Sequence, residues 1–326
     1  MRVAVTGAGG RLGSALVTAL GDAPFTGPAG PIAWTRDEFD LDAPESIGRL
    51  LDRDRPEVVI HTAAWTDVDG CARDPDLAKR RNGDAVRAVA LATVDRGIDL
   101  IQVSTNEVFD GNRAHDRGYR VDDEPSPANP YGASKLAGED AAAAAFGAQP
   151  TRLAIVRTGW LYGMPGDDFP EKILAAAERA SLAGQPLKVV GDEYGSPTFA
   201  QDVAETISDL LGSGEMGGIH HIVNAGVASR AEWATELFRQ LGLVVEIEEV
   251  PASTWERAST PPRWGVLEPT PTVSGEPMRS WQTALADYVP VLWGLSEVLL
   301  APFEFRPNVR RIPISFEPSS ASGGDA

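Results

Sequence analysis

The sequence predicts an α/β fold, a doubly wound parallel sheet with a smaller C-terminal substrate-binding lobe, and three observations predict it. Short apolar runs rich in β-branched residues alternate with helix-length segments through the first half of the 326 residues. A glycine-rich stretch, Thr6-Gly7-Ala8-Gly9-Gly10-Arg11-Leu12-Gly13, closes the first run and opens the first helical segment. After Trp160 the rhythm changes to longer loops containing Gly and Pro. The first two features together make the fold Rossmann-type.

The expected strands are Arg2 to Thr6, Ile32 to Thr35, Val58 to His61, Ile98 to Ser104 and Leu153 to Arg157. Between them Gly10 to Leu20, Pro44 to Asp52, Pro75 to Arg96 and Tyr131 to Phe146 read as helices. Such alternation implies right-handed βαβ crossovers, with helices on both faces of a parallel sheet. Val58-Val59-Ile60 is apolar throughout, as a strand covered on both faces should be. Residues 1–160 then form a dinucleotide-binding domain, which also receives segments from about 198–225. Residues 161–300 form mainly the substrate lobe, with loops at Gly163 to Pro170, Gly191 to Pro197 and Pro251 to Pro277. From Ala301 the pattern fades into a Ser- and Gly-rich end, so 301–326 is expected to be a flexible tail.

Composition excludes several classes of partner. A net charge of -18 argues against nucleic acid, whose backbone demands a basic surface, and against anionic membranes. Cys71 is the only cysteine, which leaves no internal disulfide and no multi-cysteine metal site. The N-terminus runs straight into the glycine turn without a signal-peptide apolar region, and no apolar run is long enough to span a bilayer. The expectation is a cytoplasmic protein that binds a small molecule and no metal.

Glycines at 7, 10 and 13, placed between a strand and a helix, let a pyrophosphate approach the helix N-terminus. Alone the motif reads equally well as a flexible turn; its position after the first strand makes it a dinucleotide site. Arg36 follows the second strand where the adenosine ribose should lie. An acid there would hold the hydroxyl of NAD, whereas an arginine accommodates the 2′-phosphate of NADP. NADP(H) is therefore the preferred cofactor, with NAD(H) also admitted. Asp40 and Leu41 lie close enough to border the adenine.

Tyr131 and Lys135 stand four residues apart, hence on one helix face. Free tyrosine ionises near pH 10, and a neighbouring cation favours the phenolate. The spacing is common among exposed pairs, but here it follows the rigid Pro125-Ser126-Pro127-Ala128-Asn129-Pro130 and lies downstream of a dinucleotide motif. Ser104-Thr105 ends a strand at the sheet edge where α/β proteins bind ligands, and a hydroxyl there can hydrogen-bond a carbonyl.

Together these segments resemble the extended short-chain dehydrogenase/reductases, and within them the dTDP-4-dehydrorhamnose reductases that make dTDP-L-rhamnose. The resemblance runs from Met1 to about residue 290. It includes His61-Thr62-Ala63-Ala64-Trp65-Thr66-Asp67-Val68-Asp69, Asn82, Ser104 to Gly111, Asn129 to Glu139, Arg157 to Gly163 and Gly191 to Thr198. It implies that Gly10, Arg11 and Leu12 hold the pyrophosphate, Asp40 and Leu41 the adenosine, and Ala63, Ala64 and Trp65 the middle of the dinucleotide. Thr105, Tyr131 and Lys135 become the catalytic residues, and Trp160 packs on the sugar nucleotide.

Three departures stand out. Asn106-Glu107 replaces the reductases' Asp-Tyr, turning a substrate-contacting carboxylate into an amide. Glu107 also keeps half of the acid/base pair of sugar-nucleotide dehydratases. The family's Arg-Pro-x-x-Ser-x-Leu appears only as Arg263-Trp264-Gly265-Val266-Leu267. The function implied is reduction of a nucleotide-linked 4-keto-6-deoxy sugar by a monomer or homodimer. The alternatives are an NAD-retaining epimerase or dehydratase of the same fold, and a non-catalytic dinucleotide-binding subunit.

Overall fold

The computed structural model describes residues 1–113, 117–147, 149, 152–295 and 310–311. In chain order, β1 (Val3–Thr6), α1 (Arg11–Asp22), β2 (Ile32–Trp34), α2 (Ile47–Asp54) and β3 (Val58–His61) come first. They are followed by α3 (Val68–Arg73), α4 (Pro75–Lys79), a π-turn at Arg80–Asp84 and α5 (Ala85–Val94). The first half closes with β4 (Asp99–Thr105), α6 (Pro130–Phe146) and β5 (Leu153–Thr158). The second half holds β6 (Leu161–Tyr162), α7 (Phe169–Leu182), β7 (Leu187–Val190), β8 (Tyr194–Gly195), β9 (Thr198–Phe199) and α8 (Ala200–Ser213). Beyond these lie β10 (Gly218–His221), β11 (Ala228–Ser229), α9 (Arg230–Gln240), β12 (Leu243–Val244), β13 (Ile247–Val250), α10 (Trp281–Leu295) and β14 (Arg310–Arg311).

The six-stranded sheet has the order β10-β5-β4-β3-β1-β2 with every pair parallel, the doubly wound arrangement expected. Strand order reverses between β1 and β3, which opens a crevice at the carboxyl ends of those strands. β1 and β3 are buried along their whole length, because helices cover both faces. On one face Leu12, Leu16 and Leu20 of α1, spaced four apart, pack with Val203, Ile207 and Leu211 of α8. On the other, α2, α5 and α6 contribute Leu51, Val86, Val89, Ala142 and Phe146.

The lobe has its own core around Tyr162, Leu174, Trp233, Leu237, Phe238 and Tyr288. Small two-stranded sheets such as β13-β7 and β11-β8 replace a continuous sheet there. The 251–277 stretch is largely irregular, as its prolines suggest, and ties the lobe to the first half. The Ser259 N–H donates to Asp69 at 3.0 Å, and the Thr260 carbonyl accepts from Asn129 at 3.2 Å. The expected tail falls almost wholly outside the described residues; Arg310–Arg311 pair antiparallel with β12. Among the described residues no helix is long and apolar enough to cross a membrane.

Candidate active site

A cleft of about 670 Å³ opens at the carboxyl ends of the strands, and it is lined by every residue to which the sequence assigned a catalytic, cofactor-binding or substrate-binding role. That volume is ordinary for a small-molecule site. The floor begins at the glycine turn. Gly7 has φ +65, and a Cβ there would stand 2.9 Å from the Ala63 nitrogen. A Cβ on Gly13 would come within 2.1 Å of the Gly7 carbonyl oxygen, so only glycine lets α1 pack this closely on the turn. Gly10 caps α1 without a side-chain hydrogen bond, which leaves first-turn N–H groups open to an anion. This bare, uncapped cradle fits a pyrophosphate. Arg11 borders it, its Nε donating to the Gly163 carbonyl of the lobe at 2.6 Å.

The loop after β3 is pinned from two sides. The Thr62 hydroxyl donates to the Thr6 carbonyl at 2.7 Å. The Asn82 amide accepts from the Trp65 N–H at 2.8 Å, donates to the Trp65 carbonyl at 2.9 Å and to Ser134 at 3.0 Å. Asn82 sits in the π-turn, a bulge of the kind often found at functional sites. It thereby couples the loop holding Ala63, Ala64 and Trp65 to the helix holding Tyr131 and Lys135.

At the adenosine end Arg36 is exposed, while Asp40 and Leu41 are half-buried. Asp42 is gripped by Arg81 through bonds of 2.7 and 2.5 Å, and the Arg81 guanidinium lies 5.4 Å from the Trp65 ring centre. Arg81 also lines the cleft, a second guanidinium that no sequence motif marks.

α6 starts where it does because Asn129 caps it, accepting from the Gly132 N–H at 2.9 Å, with Pro130 in its first turn. Tyr131, Lys135, Glu139, Ala142 and Phe146 form its sheet-facing side, so the phenol and ammonium point inward. Lys135 Nζ donates to the Val103 carbonyl at 2.8 Å. Burial pushes Lys135 down to about 8, and Glu139 opposes the shift. Glu139 is itself held by Arg157 at 2.7 Å and by the Ser104 hydroxyl.

Burial raises the Tyr131 phenol, Glu107 raises it further, and a hydrogen bond with Thr105 opposes them. The lowering expected from Lys135 is not among the influences on Tyr131. A raised phenol stays protonated at neutral pH, which suits a proton donor. The Thr105 hydroxyl ends β4, accepts from the Glu107 N–H at 3.2 Å and donates to Asn106 at 3.3 Å.

Asn106 is 4% exposed, and its amide donates to the Gly265 carbonyl at 2.8 Å. A Cβ on Gly159 or Gly265 would come within 2.5 Å of that amide, so it is clasped between two glycines. Asn106 thus ties the lobe to the end of β4, a role that sequence alone did not suggest. Glu107 accepts from Asn129 at 2.7 Å, and burial raises its carboxyl above the usual range.

Trp160, with φ +50, lies against Gly195, where a Cβ would stand 2.4 Å from the indole. Its ring meets Trp233 at 5.8 Å, and Arg230 covers one face at 3.5 Å. Sequence reasoning missed Arg230 and Trp233. Only the Ser229/Glu232 capping box is legible there, and it marks a helix start and nothing more. Among the described residues no group of three or more His, Cys, Asp or Glu is placed to hold a metal.

The family model described as RmlD substrate binding domain matches residues 1–292. A dTDP-4-dehydrorhamnose reductase of Mycobacterium tuberculosis (strain ATCC 25618 / H37Rv) is 35% identical over 319 residues, covering 96% of this chain and 97% of its own. The spore coat polysaccharide biosynthesis protein SpsK of Bacillus subtilis (strain 168) is 32% identical over 289 residues, 88% of this chain and 96% of its own. The crystal structure of dTDP-4-dehydrorhamnose reductase from Bacillus anthracis str. Ames in complex with NADP superposes with a TM-score of 0.79. It is 30% identical and covers 89% of this chain and 99% of that one. The chain therefore belongs to the RmlD substrate-binding-domain family.

Proposed function

We propose that this chain is an NADPH-dependent reductase of a nucleotide-linked 4-keto-6-deoxyhexose, able also to accept NADH. The observation that carries the reading is the convergence of Thr105, Tyr131 and Lys135 in one cleft with the uncapped N-terminus of α1. The reductase relatives, and the Bacillus anthracis relative solved with NADP, support the same reaction and cofactor. Residues 1–160, with 198–225, would hold the dinucleotide, and 161–300 the sugar nucleotide. The reading includes a cytoplasmic monomer or homodimer whose partner is this small molecule.

Gly7, Gly10, Arg11, Leu12 and Gly13 would hold the pyrophosphate, Arg36, Asp40 and Leu41 the adenosine end, and Ala63, Ala64 and Trp65 the middle. When bound, the reduced dinucleotide supplies the hydride for C4. Thr105 orients the carbonyl oxygen, and Tyr131 gives its proton to that oxygen as charge develops. Lys135, with one N–H spent on the Val103 carbonyl, has others left for the nicotinamide ribose. Asn106 and Trp160 would hold the sugar side.

The test is absorbance loss on mixing the protein with NADPH and a panel of nucleotide 4-keto sugars. Stoichiometric NADPH consumption is expected. Turnover with no net consumption would identify the rival epimerase or dehydratase, which Glu107 favours by lining the cleft beside Tyr131. Dinucleotide binding with no turnover on any of the sugars would identify a regulatory subunit.

A further inference from the structure

Arg230 is the first residue of α9 and lines the lobe side of the cleft. Its guanidinium carbon lies 3.5 Å from the ring centre of Trp160, 5.3 Å from Phe169 and 5.8 Å from Trp233. Trp233 in turn stacks on Phe169 at 4.4 Å, and Gly195 braces Trp160 from beside it. The aromatic cage fixes the guanidinium plane. Among the described residues Arg230 forms no hydrogen bond and no ion pair, whereas Arg157 and Arg279 each grip a carboxylate at 2.7 Å.

A guanidinium carries five N–H donors in a rigid fork, and that of Arg230 is half-buried in the cleft wall with those donors unspent on protein acceptors. A cage that holds it so is suited to an anion arriving with a ligand. Glu193 and Glu107 act on Arg230 from nearby, and Arg257 acts on it too. Burial raises both of those carboxyls, which weakens their competition for the cation. Glu107 belongs to the Thr105–Tyr131 side, Glu193 to the Gly191–Pro197 loop and Arg257 to the 251–277 stretch, none of them to the glycine turn.

We propose that Arg230, stacked on Trp160, is the anchor for the diphosphate of the nucleotide-linked substrate, so that the site selects nucleoside diphosphates over monophosphates and nucleosides. The proposal rests on the nucleotide-sugar reading above. A planar fork matches phosphate oxygens in a way that an ammonium does not.

The test uses the full chain, with Arg230→Gln and Arg230→Lys compared by calorimetry against dTDP, dTMP, thymidine and NADPH. Arg230→Gln should weaken dTDP roughly tenfold to a hundredfold. It should weaken dTMP less and leave thymidine and NADPH within about twofold. Arg230→Lys should recover only part of the dTDP affinity, and it carries the test if the glutamine variant does not fold. Unchanged dTDP affinity in the folded variants would overturn the assignment. So would a parallel fall for NADPH, which would move Arg230 to the dinucleotide pyrophosphate. Wild-type protein that binds dTDP no better than thymidine would instead remove the nucleotide-sugar reading, and Arg230's role with it.

Discussion

The floor of the cleft and its lobe wall are built from different kinds of contact. On the floor, the turn at Gly7–Gly13 and the face carrying Tyr131 and Lys135 are set by neighbours in the chain: a strand end, a helix start, an asparagine cap. On the wall, Trp160 meets Gly195, Arg230 and Trp233, residues that only the tertiary fold brings to it. Asn106 joins the two by reaching Gly265, 159 residues away. The contrast suggests a division of labour. The floor would set the chemistry common to reductases of this fold, and the wall would set which sugar nucleotide is accepted.

Removing the floor's proton donor should therefore have the largest effect and leave binding alone. Tyr131→Phe keeps the ring that packs beside Cys71 and Ala78 and removes the hydroxyl. We expect kcat to fall by about 10²–10⁴, the usual worth of a positioned acid, with dinucleotide affinity nearly unchanged. Activity within tenfold of wild type would show that the proton comes from elsewhere. The pH profile probes the same floor more gently. Burial lowers Lys135 from 10.5 to about 8, with Glu139 opposing and His61 feeling its charge. The charged form is present below that value and lost as pH rises through it. In the free enzyme kcat/KM should then fall about tenfold per pH unit above 8. A profile flat to pH 10 would count against a charged Lys135 in the reaction.

The same contrast separates the parts of the molecule that are legible in its sequence from those that are not. A glycine turn after a strand and a Tyr/Lys pair on a capped helix are local patterns, so the doubly wound sheet and the location of both segments can be read directly. Arg230 and Arg81 cannot, because each looks like an ordinary surface arginine until the fold stacks it on an indole. Asn106 is visible only as a departure from the resemblance. Its partner, the Gly265 carbonyl, lies in an irregular stretch with no period to read. The tertiary field on Tyr131, governed by burial and Glu107, is likewise beyond a rule about neighbours in sequence.

Asn106 gives a way to loosen wall from floor without touching the proton donor. Asn106→Asp replaces the amide that donates to the Gly265 carbonyl with an oxygen that repels it. We expect KM for the sugar nucleotide to rise by about tenfold, kcat to fall less, and NADPH affinity to hold. A fall in kcat alone, with KM unchanged, would place Asn106 in the chemistry and erase the distinction between the two regions.

The smallest expected effect lies at the adenosine end, where floor residues meet solvent. Arg36 is exposed, and any contact it makes with a 2′-phosphate is screened by water and salt. Buried charge-assisted bonds contribute about 1.5–3 kcal/mol each, but an exposed pair contributes only about 0.2–1 kcal/mol. Arg36 is thus expected to supply roughly a twofold to fivefold preference for NADPH. Asp40 lines the cleft beside it and would repel the phosphate, whereas Asp42 is occupied by Arg81. Arg81 stays close enough to keep some attraction for phosphate after Arg36 is removed. Arg36→Ala should therefore reduce the preference without reversing it, mainly by weakening NADPH, and the difference should shrink as salt is raised. Measuring kcat/KM for NADPH and NADH in both proteins, at low and high salt, decides the matter. Equal ratios in wild type and Arg36→Ala would make Arg36 a solvated surface charge and leave Arg81 as the group to test next.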